Sequence, residues 1–521
     1  MAKILLERGE VNPNKQDNDG QTPLWGAAWN GHEGVVKMLL ERGGVKLNKP
    51  ANDGRVPLWG ATWNGHSGVV KILLERNEVS PDRPDNDGRT PLWSAAWGGH
   101  AGVAKILLKR DEVRPDKPDG DGRTPLYAAA LNGHEGIVEM LLEQEVSPDK
   151  PHNDGRTPLW CAAWNGHEGV VSLLLEQGEV SPDKPNKNGK TPLSGAAFNG
   201  HEGVVKILLA RDEVNPNKPD NDGKTPLWSA ARNGHAGVAK ILLERDEVNP
   251  DKPNNDGQTP LWSASFNGHE GVVKLLLERD VVTPEKQGSG GQTPLFCAAH
   301  NGHAGVVGML LERSEISPNE PDKDGRTPLF AAAYNGHALV VKMLLERGEV
   351  NPDMPDSCGR TPLLAAAYNG HAGVVTVLLE REEVIPDGTD KDGRTPLRYA
   401  ALRGHEGVVK VLLEQSEVNP DKPDIDGRTP LLCASWNGHA AVVQLLLERD
   451  EVNPDRPDND GRTPLSYAAG NGYAGVVEIL LGRGDVDPGK SDEFGQTPLR
   501  VATRHGHRAV LTLLRPGGLS V

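Results

Sequence analysis

Residues 85–118 read DNDGRTPLWSAAWGGHAGVAKILLKRDEVRPDKP, and these 34 residues decide the fold. Asp85-Asn86-Asp87-Gly88 is a turn, because glycine reaches positive φ without steric cost. Thr90 offers an N-cap oxygen and Pro91 occupies the first helical position, where no N–H is needed. Helix one runs through Leu92, Ala95, Ala96 and Trp97. The small pair Ala95-Ala96 lets another helix approach closely. Gly98-Gly99 stops this helix with a left-handed cap. His100 opens helix two, whose Val103, Ala104, Ile106, Leu107 and Leu108 form a broad apolar stripe. Glu112 to Pro118 leads out as an extended finger, in which two prolines remove donors and limit sheet pairing.

Outward from this stretch the chain repeats it. The proline of Thr-Pro-Leu recurs at 23, 57 (as Val-Pro-Leu), 91, 125, 158, 192, 226, 260, 294, 328, 362, 396, 430, 464 and 498. Every step is 34 residues except the 33 from Pro125 to Pro158, where Leu142-Glu143-Gln144-Glu145-Val146 is one residue short. All 41 prolines except Pro516 fall in three registers of this period. The period thus explains a composition that holds 62 glycines but only 4% aromatic residues.

Motif and period together resemble the ankyrin repeat, a turn followed by two antiparallel helices. The resemblance covers residues 1–515 and carries Thr-Pro-Leu-x-x-Ala-Ala-x-Asn-Gly-His-x-x-Val-Val-x-x-Leu-Leu fifteen times. It implies an all-α ankyrin-repeat solenoid with β-hairpin-like fingers: an array over 13–515, a truncated repeat (second helix only) at 1–12 and a short tail at 516–521. The family's histidine after Thr-Pro-Leu is absent from every copy, so its usual hydrogen bonds give way to stacking. Fingers such as Val248-Asn249-Pro250-Asp251-Lys252-Pro253 resemble those of filamentous-fungal arrays, many of which are the sensor ends of NACHT-type, NLR-like proteins. Because Met1 aligns within helix two of a further copy, the polypeptide or its ancestor is expected to extend upstream. The finger Gln287-Gly288-Ser289-Gly290-Gly291 departs from the pattern and is either a hinge or a tolerated exposed loop.

Composition removes several function classes. With 57 basic and 73 acidic residues the net charge is −16, a field that repels nucleic-acid backbones. No apolar run reaches the roughly 18–20 residues of a membrane helix, so neither membrane insertion nor nucleic-acid binding is expected. A cytoplasmic monomer without cofactor or metal is. The Asp-Asn-Asp-Gly turn is no calcium loop: aligning Gly88 puts Arg83 and Ser94 at ligand positions 1 and 12. Fourteen of the 17 histidines share the Gly-His register. Copies about 10 Å apart keep them from sharing a metal, and they read as structural donors. Cys161, Cys297 and Cys433 lie four copies apart and cannot bridge. No catalytic constellation stands out, so no enzyme is expected.

Two helix-one registers vary among copies that are otherwise alike. The first holds Trp25, Trp59, Trp93, Tyr127, Trp160, Ser194, Trp228, Trp262, Phe296, Phe330, Leu364, Arg398, Leu432, Ser466 and Arg500. The second, four residues on, holds Trp29, Trp63, Trp97, Leu131, Trp164, Phe198, Arg232, Phe266, His300, Tyr334, Tyr368, Leu402, Trp436, Gly470 and Arg504. Together they contain all eleven tryptophans. Residues i and i+4 share a helix face, so each copy presents a pair of rings. The first register is expected to pack between copies. A core position would not accept Trp, Arg and Gly alike, so the second is expected to line a concave groove that binds a protein or peptide. With finger aspartates on the rim, such a groove favours Lys/Arg-containing segments. The sequence therefore points to an interaction module, possible in two forms: the recognition array of a fungal NLR-like receptor, or a scaffold tethering several intracellular partners.

Overall fold

A computed structural model describes residues 12–515. The half-repeat expected at 1–12 (Asn12 aside) and the tail at 516–521 lie outside the described residues. The chain divides into two compact bodies, residues 1–255 and 256–521. Among the described residues the first holds seven helix pairs, from Pro23–Trp29 with Glu33–Glu41 to Pro226–Asn233 with Ala236–Leu243. The second holds eight, from Pro260–Asn267 with Glu270–Leu277 to Pro498–His505 with Arg508–Leu514.

These helices have seven to nine residues, too few to be stable alone in water. Local signals start and stop them. The Thr90 hydroxyl accepts the Trp93 N–H at 3.1 Å, Pro91 follows, and Gly99 ends the helix at φ 74°. Packing then supplies the stability. Within each body helix one lies against helix one of the adjacent copies and helix two against helix two. Leu92, Ala95, Ala96, Val103, Ala104 and Leu107 are completely buried.

Within each body an imidazole joins most copies to the one before; Tyr473 takes its place in one. His100 Nε2–H donates to the Trp63 carbonyl at 2.9 Å, and His66, His134 and His201 do the same to Trp29, Trp97 and Trp164. A Cβ on Gly99 would stand 2.6 Å from the His134 ring. That glycine is therefore required twice, for its positive φ and for the closeness of the ring. His66 to His235 of this register, His303 to His439 and His507 thus act as the structural donors that their register implies.

The fingers are stacked turns. Asp85 Oδ1 accepts the N–H groups of Asp87 and Arg89 at 3.0 and 2.8 Å. One backbone bond passes from tip to tip, such as Asn86 N–H to the Asp53 carbonyl at 3.0 Å. Below the tips, lysines of the Asp-Lys-Pro register reach back to the preceding copy's aspartate: Lys150 to Asp116 at 2.8 Å, Lys184 to Asp149 at 2.7 Å. Among the described residues no strand forms, so the β-hairpin-like expectation reduces to hairpin-shaped turns. The prolines leave too few donors for a ladder. The aberrant finger keeps its turn: Gly288 N–H bonds Gln292 O at 3.0 Å and Ser289 N–H bonds Asp256 O at 2.7 Å. The division between the bodies falls one finger earlier.

Three expectations follow for stability. His100→Ala should cost about 1–3 kcal/mol, the price of leaving a partly buried carbonyl unpaired, read as a lower urea midpoint. Val56 is the one N-cap of helix one that gives no side-chain bond. Val56→Thr should add about 1 kcal/mol, read as a raised melting temperature. Burial, with Arg326 and His337 as the next causes, lowers the His300 pKa; burial, with Arg403, His371 and His439, lowers that of His405. The folded state thus favours the neutral rings, so their contribution is complete above the ordinary histidine pKa and is lost as pH falls through the lowered one. The urea midpoint should decline as pH falls below about 6.5, and a profile that stays flat down to about pH 5 would refute this.

Candidate functional site

The two variable registers have different fates. First-register residues other than Arg500 are buried: Trp59 is 0% exposed, Trp93 2%, Trp160 4% and Trp228 2%. Trp59 Nε1–H bonds the Arg89 carbonyl of the next finger at 3.2 Å, and Trp160 and Trp262 bond Lys190 and Gln292 likewise at 2.9 and 3.0 Å. The indole thus fills the gap between copies and makes a hydrogen bond there as well.

Second-register side chains stay open. Trp29, Trp63, Trp97, Trp164, Phe198, Tyr368 and Trp436 are half-buried; Arg232, Phe266 and Tyr334 are exposed. Where both registers hold rings, the second stacks on the first one turn back. Trp59 and Trp63 lie 5.1 Å apart at 12°, Trp160 and Trp164 5.1 Å at 12°, and Trp262 and Phe266 5.3 Å at 8°. Such stacking turns a row of side chains into a row of pre-oriented faces. Elsewhere the contact comes from an adjacent copy: Tyr399, one residue after Arg398, meets the preceding copy's Tyr368 edge-on at 5.3 Å; Tyr467, one residue after Ser466, stacks on Trp436 at 4.8 Å; and Phe198 stacks on Trp164 at 5.4 Å.

A third register, missed in the sequence, completes the face. The residue before the capping threonine is Arg55, Arg89, Arg123, Arg156, Lys190 and Lys224 in the first body and Arg326, Arg360, Arg394, Arg428 and Arg462 in the second; glutamine takes the rest. Arg55 stands 4.2 Å from the centre of the Trp59 ring, and Arg89, Arg156 and Arg428 lie 5.1–5.5 Å from Trp93, Trp160 and Trp436. These cations also hold the finger-tip carboxylates, Arg89 on Asp87 at 2.9 Å and Arg394 on Asp392 at 2.9 Å. The signal was available in the sequence: aligned copies show Arg, Lys or Gln there and never an acid. It also bears on the acidic rim. Many of the aspartates expected to attract a basic partner already face the chain's own arginines.

The buried thiols offer no nucleophile. Burial pushes Cys161 up to about 12 and Cys433 up to about 11, so both stay protonated at neutral pH. Among the described residues no cluster of His, Cys, Asp or Glu is placed to hold a metal, and no helix is long and apolar enough to cross a membrane.

The residues sort by register, so one test separates packing from display. Trp59→Ala should destabilise the chain by about 3–5 kcal/mol as a core cavity, whereas Trp63→Ala should cost clearly less. Paired thermal melts check this, and equal losses would refute it.

Comparison with known proteins bears on the whole chain. A family model described as ankyrin repeats (three copies) matches in thirteen overlapping stretches, from residues 1–51 to residues 450–520. No curated protein matches the chain.

Proposed function

The chain belongs to the ankyrin-repeat family, whose repeats are protein–protein interaction modules, and from that premise we propose that its helix-one face binds a protein partner through the second-register ladder. One observation carries this reading: in copy after copy the second-register ring is held in a fixed stack yet left open. Rings that are rigid and accessible lose little entropy on binding and serve as anchors. Trp29, Trp63, Trp97, Trp164 and Phe198 are the anchors in the first body; Phe266, Tyr334, Tyr368 and Trp436 are those in the second. Arg232 supplies a polar contact within the row.

The partner segment brings aliphatic or aromatic side chains to these faces. Lys/Arg-bearing segments, suggested by the finger aspartates, are the weaker match, because the third register already sets arginines beside the rings. Near-identical copies that differ at the open register suit recognition altered by exchange of repeats, and this supports the role of a recognition array in an NLR-like receptor. It acts as a cytoplasmic monomer.

The test replaces Trp29, Trp63, Trp97 and Trp164 by alanine together. A circular-dichroism melt should remain cooperative, since at Gly470 the joint persists with no side chain at all: His507 Nε2–H still meets the Gly470 carbonyl at 2.9 Å. Recovery of the partner captured by the intact chain should fall at least tenfold, given about 2 kcal/mol or more for each buried aromatic anchor. Unchanged recovery from a folded variant would overturn the reading.

A further inference from the structure

Within the second body, five guanidinium groups converge on one cleft of about 450 Å³: those of Arg360, Arg394, Arg398, Arg403 and Arg428. No acidic residue lines it, in a chain whose net charge is −16. Two of the five are departures found in this copy. Arg398 stands where nine of the other copies place a ring, and Arg403 stands where most carry the asparagine of Asn-Gly-His. Independent changes in two registers have thus brought arginine to the same cavity.

The donors differ in how far they are satisfied. Asp356 holds Arg360 through two bonds of 2.8 and 2.7 Å, Asp392 holds Arg394 at 2.9 Å, and Asp426 holds Arg428 at 3.0 Å. These carboxylates lie outside the cleft wall, so they compensate the charge without filling the cavity. Arg398 is 4% exposed; it pairs with buried Asp424 at 2.6 Å, and its Nε has no acceptor. Arg403 is exposed and lies 4.3 Å from the centre of the Tyr368 ring, bonded to the Tyr368 hydroxyl; among the described residues no carboxylate pairs with it. Tyr399 and Trp436 supply flat walls.

We propose that this cleft is an oxyanion site, which takes a phosphate or carboxylate group carried on a side chain of the bound protein segment. Guanidinium donors suit such groups because their planar forks match two oxygens at once. The cleft's aromatic and leucine walls fit the stem that carries the group. The proposal rests on the helix-one face being the partner-binding face, and it adds a charge to what that partner presents there.

The test uses the full chain and three labelled peptides: a phosphotyrosine peptide of otherwise neutral composition, hexaglutamate and hexalysine. Fluorescence anisotropy should detect the phosphotyrosine peptide, hexaglutamate or both, weakening with salt, and no binding of hexalysine to this cleft. Which anionic peptide binds identifies the source of the oxyanion. Arg403→Asn and Arg394→Gln install residues that other copies already carry in those registers, so both variants should melt like the parent. Each should weaken anionic-peptide binding at least tenfold. No binding by either anionic peptide, binding unaltered in both folded variants, or a preference for hexalysine that Arg403→Asn leaves unchanged would overturn the proposal. If the fourfold tryptophan variant loses the captured partner while Arg403→Asn retains it, the helix-one reading stands and the oxyanion site falls.

Discussion

Most joints within each body depend on a hydrogen bond from an imidazole to a main-chain carbonyl. The acceptors are the carbonyls of Trp29, Trp63, Trp97, Leu131, Trp164 and Phe198 in the first body, and those of Phe266, His300, Tyr334, Tyr368 and Leu402 in the second. These are the residues of the second register. Each gives its backbone to the joint and keeps its side chain out of it. The scaffold therefore places no demand on what that side chain is, which is why Trp, Leu, His and Gly occupy equivalent positions without disturbing the stack. Variation at the open face and constancy of the joint are two consequences of one bond.

The first register is constrained by the opposite logic. Its side chain occupies the space between copies, so its volume matters and its polarity is costly where unanswered, as at the buried Nε1 of Trp25 and Trp93. Trp59, Trp160 and Trp262 answer with an indole bond to the next finger. Arg398 answers with Asp424, an ion pair almost wholly removed from water. Desolvation offsets much of the attraction in such a pair, so Arg398 is poorly explained as a stabilising exchange for a ring. Its presence is better explained by what its guanidinium does at the cleft it lines.

The helix pairs, their caps and the period were legible because each rests on a local signal: threonine before proline, glycine after asparagine, apolar residues three and four apart. The buried and open registers were separable for a related reason, since copies of one sequence act as internal controls for one another. Three things were not legible. The fingers' lack of strand depends on how many donors remain once prolines and Asx turns have taken theirs. The arginine register was passed over, because its role emerges only when Arg55 or Arg89 is seen beside a ring of its own copy. The finger aspartates looked like a free acidic rim, because the sequence does not show that Arg89 turns back onto Asp87.

A joint made through the backbone also keeps changes local. In a stack where each copy touches only its neighbours, stability is close to a sum over copies and interfaces, and substitutions more than about 7–10 Å apart add independently. Second-register side chains in alternate copies meet that condition. Lys190 near the Phe198 ring and Arg55 near Trp63 in the first body, and Arg403 on Tyr368 in the second, are then separate settings, each altered by one codon without retuning the rest. An array of this kind acquires a new specificity by accumulation, copy by copy, and the convergence of Arg398 and Arg403 on one cleft is what such accumulation leaves behind when two changes serve the same ligand.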